Sequence, residues 1–195
     1  MSCSTIRTTL RAKRRALSPQ QQIHCASQIL ARLRTQYFFI RARRVGLYLP
    51  NDGEADTRPI IDLCRQYGKQ CFLPVIHPMK NRLHFVGYGR HTALSVNKYG
   101  ILEPSLRSSK PIPTWSLDLI LMPLVGFDRR GNRLGMGGGY YDRTLAFVDK
   151  IKRPSPRLVG LAHSCQEVAA IPSRSWDVAV ENVITDREIL CVKQK

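Results

Sequence analysis

The sequence predicts an α/β domain: a three-layer sandwich with a mostly parallel central sheet and helices on both faces. Short β-rich apolar runs alternate with stretches of helical periodicity, and one strand, helix, strand segment has the length of a right-handed crossover unit. A glycine-rich turn also stands between an apolar strand and a helix, the kind of place where open sheets hold ligands. The 195 residues fit a single domain spanning 1–195, large enough to bury a core without covalent staples.

Taken in order, Ile6, Leu10 and Leu17 fall on one face of a first helix, while Arg7, Arg11, Arg14 and Arg15 form a cationic strip on another. "SPQQ" (18–21) reads as a capping box, and Ile23, Ala26, Leu30 and Leu33 then repeat at helical intervals. "RVGLYLP" (44–50) is a strand followed by the loop "NDGEADT", a helix from about Arg58 to Tyr67 closed by Gly68, and a second strand "QCFLPV" (70–75). Strands are further expected at 82–88, 118–127, 157–162 and 178–184, with helical spacing over 140–148. "SLRSSKPIPT" (105–114) reads as a surface loop.

Charge is the compositional anomaly. Thirty-one Lys and Arg against 14 Asp and Glu leave a net +17, and ten of the basic residues precede Asp52, the first acid. That imbalance attracts anions, whether nucleic acid, anionic lipid or a polyanionic small molecule. An acid-free, Arg-rich start is also what a mitochondrial transit peptide looks like, but the capping box at Ser18 places this region within the fold. The six cysteines form no C-x-x-C pair and no metal-ligand spacing, so reduced thiols in a cytoplasmic protein are expected. No apolar run is long enough to span a bilayer, and no membrane association is expected.

"RLGMGGGYYDR" (133–143) holds four glycines in eleven positions. Such a cluster suits a place where a ligand must approach the main chain or φ must be positive, and a phosphate cradled by main-chain N–H groups is one such case. Arg133 adds positive charge, and Asp142 offers a carboxylate for magnesium. The pattern is neither G-x-G-x-x-G nor G-x-x-x-x-G-K-[ST], and a tight strand-to-helix turn with no ligand remains open on these residues alone.

The stretch "MPLVGFDRRGNRLGMGGGYYDRTL" (122–145) resembles the signature of the 5-formyltetrahydrofolate cyclo-ligase, or methenyltetrahydrofolate synthetase, family. "RTTLR" (7–11), "LYLPNDGEADT" (47–57), "LEP" (102–104) and "WDVAVENVIT" (176–185) extend the similarity over nearly the whole chain. The resemblance implies ATP-dependent cyclisation of 5-formyltetrahydrofolate to 5,10-methenyltetrahydrofolate, with release of ADP and phosphate. In that chemistry the formyl oxygen attacks the γ-phosphate and N10 closes on the activated carbon, so the protein aligns the reactants and neutralises phosphate charge.

By the same resemblance, Arg7, Arg11, Arg133 and the main chain of Leu134, Gly135, Met136, Gly137, Gly138, Gly139, Tyr140 and Tyr141 hold ATP. Leu49, Glu54, Met136 and Tyr140 hold the folate, Arg133 and Tyr140 act in catalysis, and Asp142 and Asp177 serve Mg2+. Family members commonly carry lysine where this chain has Arg7, replacing a point charge by a planar fork. On the residues alone, Arg7 and Arg11 could be a solvated helix face, Glu54 an ordinary loop acid, Asp177 a strand-entry turn residue, and one of Tyr140 and Tyr141 a core residue. His163 and Cys165 read as structural rather than nucleophilic. The implied partners are the two small-molecule substrates, acting on a monomer. No zinc module, RNP-like strand or KH-type clamp supports specific nucleic-acid binding, which leaves only salt-sensitive, non-specific RNA retention. A folate-binding regulator without turnover is the remaining rival.

Overall fold

The computed structural model describes residues 2–106, 110–148 and 156–192. Helix α1 (Cys3–Arg15) is capped by the Ser2 hydroxyl, and α2 (Pro19–Leu33) carries the expected capping box, with Ser18 and Gln21 bonded reciprocally. Both helices differ in detail from the sequence reading. Leu17 lies beyond the end of α1. Ile23 is 71% exposed, because the buried stripe of α2 is centred on Ile29 and Leu33, with Cys25 and Ala26 beside them. A five-residue helix α3 (Tyr37–Arg41) follows, burying Phe39.

The remaining elements are β1 (Arg44–Gly46), α4 (Arg58–Gln66), β2 (Gln70–Ile76), β3 (Leu83–Gly87), β4 (Leu94–Val96), β5 (Leu102–Pro104) and β6 (Pro111–Ile112). They are followed by β7 (Leu119–Pro123), β8 (Gly126–Phe127), β9 (Arg133–Leu134), α5 (Tyr140–Leu145), β10 (Arg157–Leu161), β11 (Asn182–Ile184) and β12 (Ile189–Cys191). Eight strands form one sheet in the order β12-β11-β10-β7-β1-β2-β3-β6. The five inner strands β11, β10, β7, β1 and β2 are mutually parallel, and antiparallel pairing enters only through β12, β3 and β6. The segment from β1 through α4 to β2 is the expected crossover unit.

Alternation along the strands divides the interior into two cores. Leu119, Leu121, Val159 and Leu161 face one side, where Ile29, Leu33, Phe39, Ile60 and Ile61 of the first four-helix segment cover them, α1 excepted. Ile120, Met122, Leu158 and Val183 face the other, packed with Phe85, Phe127, Leu145 and Val178. Helix α1 contributes Ile6 and Leu10 to a smaller cluster with Val125, Leu134 and Ile171.

Four sequence expectations are corrected. The run 118–127 is two elements, because β7 ends at Pro123 and the chain leaves the sheet to form the β8–β9 hairpin. Only Asn182–Ile184 of the expected strand 178–184 is paired in the sheet. Within 105–114, residues 107–109 lie outside the described part, and Pro111–Ile112 is an edge strand rather than loop. Helix α5 stops at Leu145, short of the expected 148. Among the described residues no helix is long and apolar enough to cross a membrane.

Candidate active site

Strand β1 connects to β2 on one side of the sheet and β7 to β10 on the other, so the neighbouring carboxyl ends of β1 and β7 form a topological switch point. The chain leaving β1 makes a tight turn in which the Glu54 N–H donates to the Asn51 carbonyl at 3.0 Å. Asp52 (φ 54°) and Gly53 (φ 75°) both take positive φ, as a type I′ turn demands. Arg14 ties this turn to the chain leaving β7: its Nε donates to the Asp52 carbonyl at 2.7 Å and its Nη1 to the Leu124 carbonyl at 3.1 Å. Its Nη2 also reaches the Asp52 carboxylate at 2.7 Å.

The cationic strip expected on α1 is therefore largely committed within the protein. Arg14 is 0% exposed, Arg11 Nε donates to Asp52 Oδ2 at 2.8 Å, and Arg15 also pairs with Asp52. Burial opposes ionisation of Asp52, but hydrogen bonds from Arg11, Arg14 and Arg15 outweigh it and hold the carboxyl at about 2.

Arg7 is placed differently. Its Nε donates to the Gly135 carbonyl at 2.7 Å, and its guanidinium packs over Gly137. In the loop from Gly135 to Gly139, Gly137 (φ 98°) and Gly139 (φ 61°) adopt backbone conformations that other residues reach only with strain. The N–H groups of Met136 to Gly139 form no hydrogen bond with the described residues, so they remain available as donors. Helix α5 has only six residues, so the anion-binding capacity here rests on the loop amides and the arginines more than on a helix dipole. Arg143 folds back over Gly139 and donates to the Gly138 carbonyl and, at 2.7 Å, to the Asn81 carbonyl.

Arg133 lies beneath the loop, 5% exposed at its side chain. Its Nε donates to the Val178 carbonyl at 2.8 Å and its Nη2 to Asp142 Oδ1 at 2.5 Å, an oxygen that also accepts the Val178 N–H at 3.2 Å. Asp142 thus orients Arg133, while its Oδ2 makes no hydrogen bond among the described residues. Asp177 adjoins Val178; its Oδ2 accepts the Arg174 N–H at 2.8 Å in a local turn, and its Oδ1 is likewise unengaged. Both carboxylates line the same cavity with one spare oxygen each, and Mg2+ takes one or two protein carboxylates together with phosphate and water.

Glu54 lies close to Arg14, with Oε1 to Nη2 at 3.8 Å, and its Oε2 accepts the Asn51 N–H at 3.2 Å. Burial raises its carboxyl from 4.5 to about 7, against the pull of Arg14. Burial likewise pushes the neighbouring phenols of Tyr48 and Tyr141 upward, with Glu54 adding to the shift. Tyr141 packs on the second core and Tyr140 does not. Instead the Tyr140 hydroxyl lies 2.8 Å from that of Tyr99, which lowers the Tyr140 phenol.

Apart from Arg14 and Arg15, these charged side chains line one cavity of about 1270 Å3, above the ~300–1,000 Å3 usual for a single small ligand and so with room for two. Every residue singled out in the sequence for ATP, folate or metal lines it, including Leu49, Glu54, Met136 and Asp177. Several lining residues escaped the sequence reading. Tyr99 arrives on the turn between β4 and β5, and Asp52 organises three arginines from one loop position. Trp176 is 63% exposed at the rim with the Arg174 guanidinium 5.4 Å above its ring, offering a flat surface for a base or pterin. Glu103, inside the "LEP" match, accepts the Ile76 N–H at 3.1 Å and Asn97 Nδ2 at 2.9 Å, pinning the β4–β5 hairpin to the cavity wall. Exposed aromatics and acids in short hairpins carry no periodic signal, which is why sequence spacing passed over them.

The fold and site define a class: a small α/β enzyme in which loops at the strand ends enclose space for an anionic ligand and a second molecule. Comparisons with known proteins narrow that class. Residues 2–186 match the model of the 5-formyltetrahydrofolate cyclo-ligase family. The chain is 39% identical over 181 residues to 5-formyltetrahydrofolate cyclo-ligase of Escherichia coli K12, covering 92% of this chain and 98% of that one. It is 40% identical over 182 residues to the Haemophilus influenzae protein of the same name, covering 92% and 95%. The solution structure of 5,10-methenyltetrahydrofolate synthetase from Aquifex aeolicus superimposes with a TM-score of 0.83 at 28% identity, covering 100% of this chain and 95% of that one. The chain belongs to the 5-formyltetrahydrofolate cyclo-ligase family, a family of ligases in folate one-carbon metabolism.

Proposed function

We propose that this protein closes 5-formyltetrahydrofolate to 5,10-methenyltetrahydrofolate at the expense of ATP, in the cavity at the β1–β7 switch point. The observation that carries this reading is the loop from Met136 to Gly139, whose N–H groups are unpaired among the described residues and share with Arg7 and Arg133 a cavity sized for two ligands. The γ-phosphate is cradled there, with Arg133 and Arg7 neutralising its charge and Arg11 at the margin. The formyl oxygen attacks phosphorus and the bond to ADP breaks. N10 then attacks the former formyl carbon and loses its proton, and the C–O bond breaks as phosphate leaves. The protein's contribution is alignment and charge neutralisation. Leu49, Met136 and Tyr140 line the folate side, and Glu54 accepts pterin N–H groups. Asp142 and Asp177 would hold Mg2+, which shields phosphate charge when bound. The six free thiols fit a cytoplasmic location, and the reading needs only a monomer, since every named group comes from one chain.

The direct test is absorbance of the methenyl product after mixing the protein with 5-formyltetrahydrofolate and Mg-ATP. Product must require both substrates and must fall away in Arg133→Ala; a rate equal to the protein-free blank refutes the proposal.

Glu54 gives a pH signature of defined sign. If its ionised form grips the pterin, kcat/KM for the folate rises with pH through about 7 and levels off above, and Glu54→Gln abolishes the step. Stability of the ligand-free protein moves oppositely. A carboxyl raised from 4.5 to about 7 binds its proton more tightly in the folded state, so stability falls as pH climbs through that window. Thermal melts of wild type and Glu54→Gln at pH 5 and pH 8 check this, and parallel curves would contradict it.

The metal assignment separates from the positioning role of Asp142. Asp142→Asn keeps an acceptor for Arg133 and Val178 but weakens metal ligation, and is expected to raise the Mg2+ concentration for half-maximal rate about tenfold or more. Initial rates across a Mg2+ titration decide it: a lower kcat with an unchanged Mg2+ midpoint leaves Asp142 as a positioning residue only.

A further inference from the structure

On the far side of the Asp52–Gly53 turn, three chain-distant residues converge. Cys25 of α2, His163 after β10 and Asp186 after β11 each bring one ligand atom to within 4.8 Å of the others. They line a separate cavity of about 560 Å3, to which Cys165 and His24 also contribute. Asp186 is held in place by the Ser164 N–H at 2.7 Å and the Ser164 hydroxyl at 3.0 Å.

His163 supplies the decisive detail. It is 1% exposed, and its Nε2 lies 3.1 Å from the Gly53 carbonyl oxygen. A carbonyl only accepts, so Nε2 carries the ring proton. Burial holds the ring pKa below its ordinary value, which keeps the imidazole neutral and leaves Nδ1 with a bare lone pair. That Nδ1 is buried and has no hydrogen-bond partner among the described residues. A histidine that donates from one ring nitrogen to a backbone carbonyl while the other keeps a bare lone pair has the arrangement of metal-ligating imidazoles. Buried polar atoms are seldom left unsatisfied without such a reason.

We propose that Cys25 Sγ, His163 Nδ1 and an Asp186 carboxylate oxygen form a divalent-cation site, distinct from the Mg2+ position and selective for a zinc-like ion. A sulfur, nitrogen and oxygen donor set suits a borderline-soft cation and disfavours Mg2+ or Ca2+, which take oxygen. Water completes a tetrahedral shell. The Cys25 thiol, raised to about 11 by burial and by Asp186, ionises when the cation binds, and its proton is released to solvent. Because the ligating ring braces the Gly53 carbonyl, an occupied site also stiffens the turn that carries Asp52 and Glu54.

The test uses the untagged full-length protein, stripped with chelator and titrated with Co2+ as a spectroscopic probe, then with Zn2+ as competitor. One equivalent of Co2+ should produce a thiolate-to-cobalt charge-transfer band that Zn2+ abolishes, with proton release and a higher melting temperature. Cys25→Ser should remove the band, Asp186→Asn should weaken binding at least tenfold, and Cys191→Ser, at an exposed thiol, should change nothing. No thiolate band in the wild type with excess Co2+, or a band that survives in Cys25→Ser, overturns the proposal. Should Cys25→Ser fail to fold, the wild-type titration and Asp186→Asn decide, and undiminished affinity in Asp186→Asn counts against the site. Mg-ATP-dependent turnover of the stripped protein is measured separately, so failure here and failure of the ligase reading are distinguishable.

Discussion

Arg133→Ala is expected to lower kcat/KM by about 10²–10³-fold, with most of the loss in kcat. The side chain is nearly buried, and its fork is fixed by the Val178 carbonyl and Asp142 before any ligand arrives. A guanidinium already oriented toward the cavity needs no reorganisation as charge develops on the transferring phosphoryl group, which is where electrostatic preorganisation acts. Arg133→Lys restores charge without the fork. It should recover only part of the rate, because a single nitrogen cannot match the spacing of the separate guanidinium nitrogens that serve Val178 and Asp142 and face the phosphate. Asp142→Ala, which removes the acceptor that orients Arg133, provides the internal comparison: if Arg133 acts through its orientation, Arg133→Ala and Asp142→Ala together cost less than the sum of each alone. Steady-state kinetics with the methenyl chromophore resolve kcat and KM for the wild type and all four variants. A change in KM for ATP with kcat intact would reduce Arg133 to an ordinary binding residue.

What the sequence displayed and what it hid follow from the range of the forces involved. Parallel β1, β2, β7 and β10 were legible because burial on both faces forces continuous apolar runs, and α2 began where Ser18 and Gln21 said it should. The glycine loop was visible because positive φ at Gly137 and Gly139 restricts residue choice at those points. The break at Pro123, by contrast, turns on how Val125 and the β8–β9 hairpin residue Leu134 pack under α1, and no local pattern in 118–127 reports that. Asp52 and Arg14 show the same limit. Sequence spacing put Arg14 with Arg7 and Arg11 on one basic face, whereas its partners, Asp52 and Leu124, lie 38 and 110 residues away. The Cys25, His163 and Asp186 cluster is hidden for the same reason, since its members share no sequence neighbourhood.

Arg14 therefore carries the other large expected effect, and it falls on stability. Arg14→Ala leaves the Asp52 carbonyl without its donor, strips the Leu124 carbonyl of one of its two, Gln166 Nε2 at 2.6 Å remaining, and removes one of the three cations that hold the Asp52 carboxylate. Arg11 and Arg15 still hold the Asp52 carboxylate, so the cost is that of the buried guanidinium's lost hydrogen bonds, at about 1.5–3 kcal/mol for each of at least two and thus roughly 3–5 kcal/mol. At about 2–4 °C per kcal/mol for a chain of this size, the melting temperature should drop by roughly 10 °C. The acid limb of the stability curve offers an independent check. Asp52 is depressed from 3.8 to about 2, so its stabilisation is complete above 3.8 and is lost as pH falls through 2. With Arg14 gone, that carboxyl titrates nearer 3.8, and the protein should begin to lose stability at a higher pH than the wild type. Arg14→Met separates volume from charge: it refills the space but restores none of the lost hydrogen bonds, so a loss close to that of alanine assigns the effect to the hydrogen bonds and not to packing. Because Glu54 follows immediately on the turn that Arg14 braces, KM for 5-formyltetrahydrofolate should rise in both variants at a temperature where they remain folded, with less change in KM for ATP. A melting temperature within about 2 °C of wild type, with an unaltered acid limb, would mean that α1 and the β1–β7 crevice hold together without this side chain.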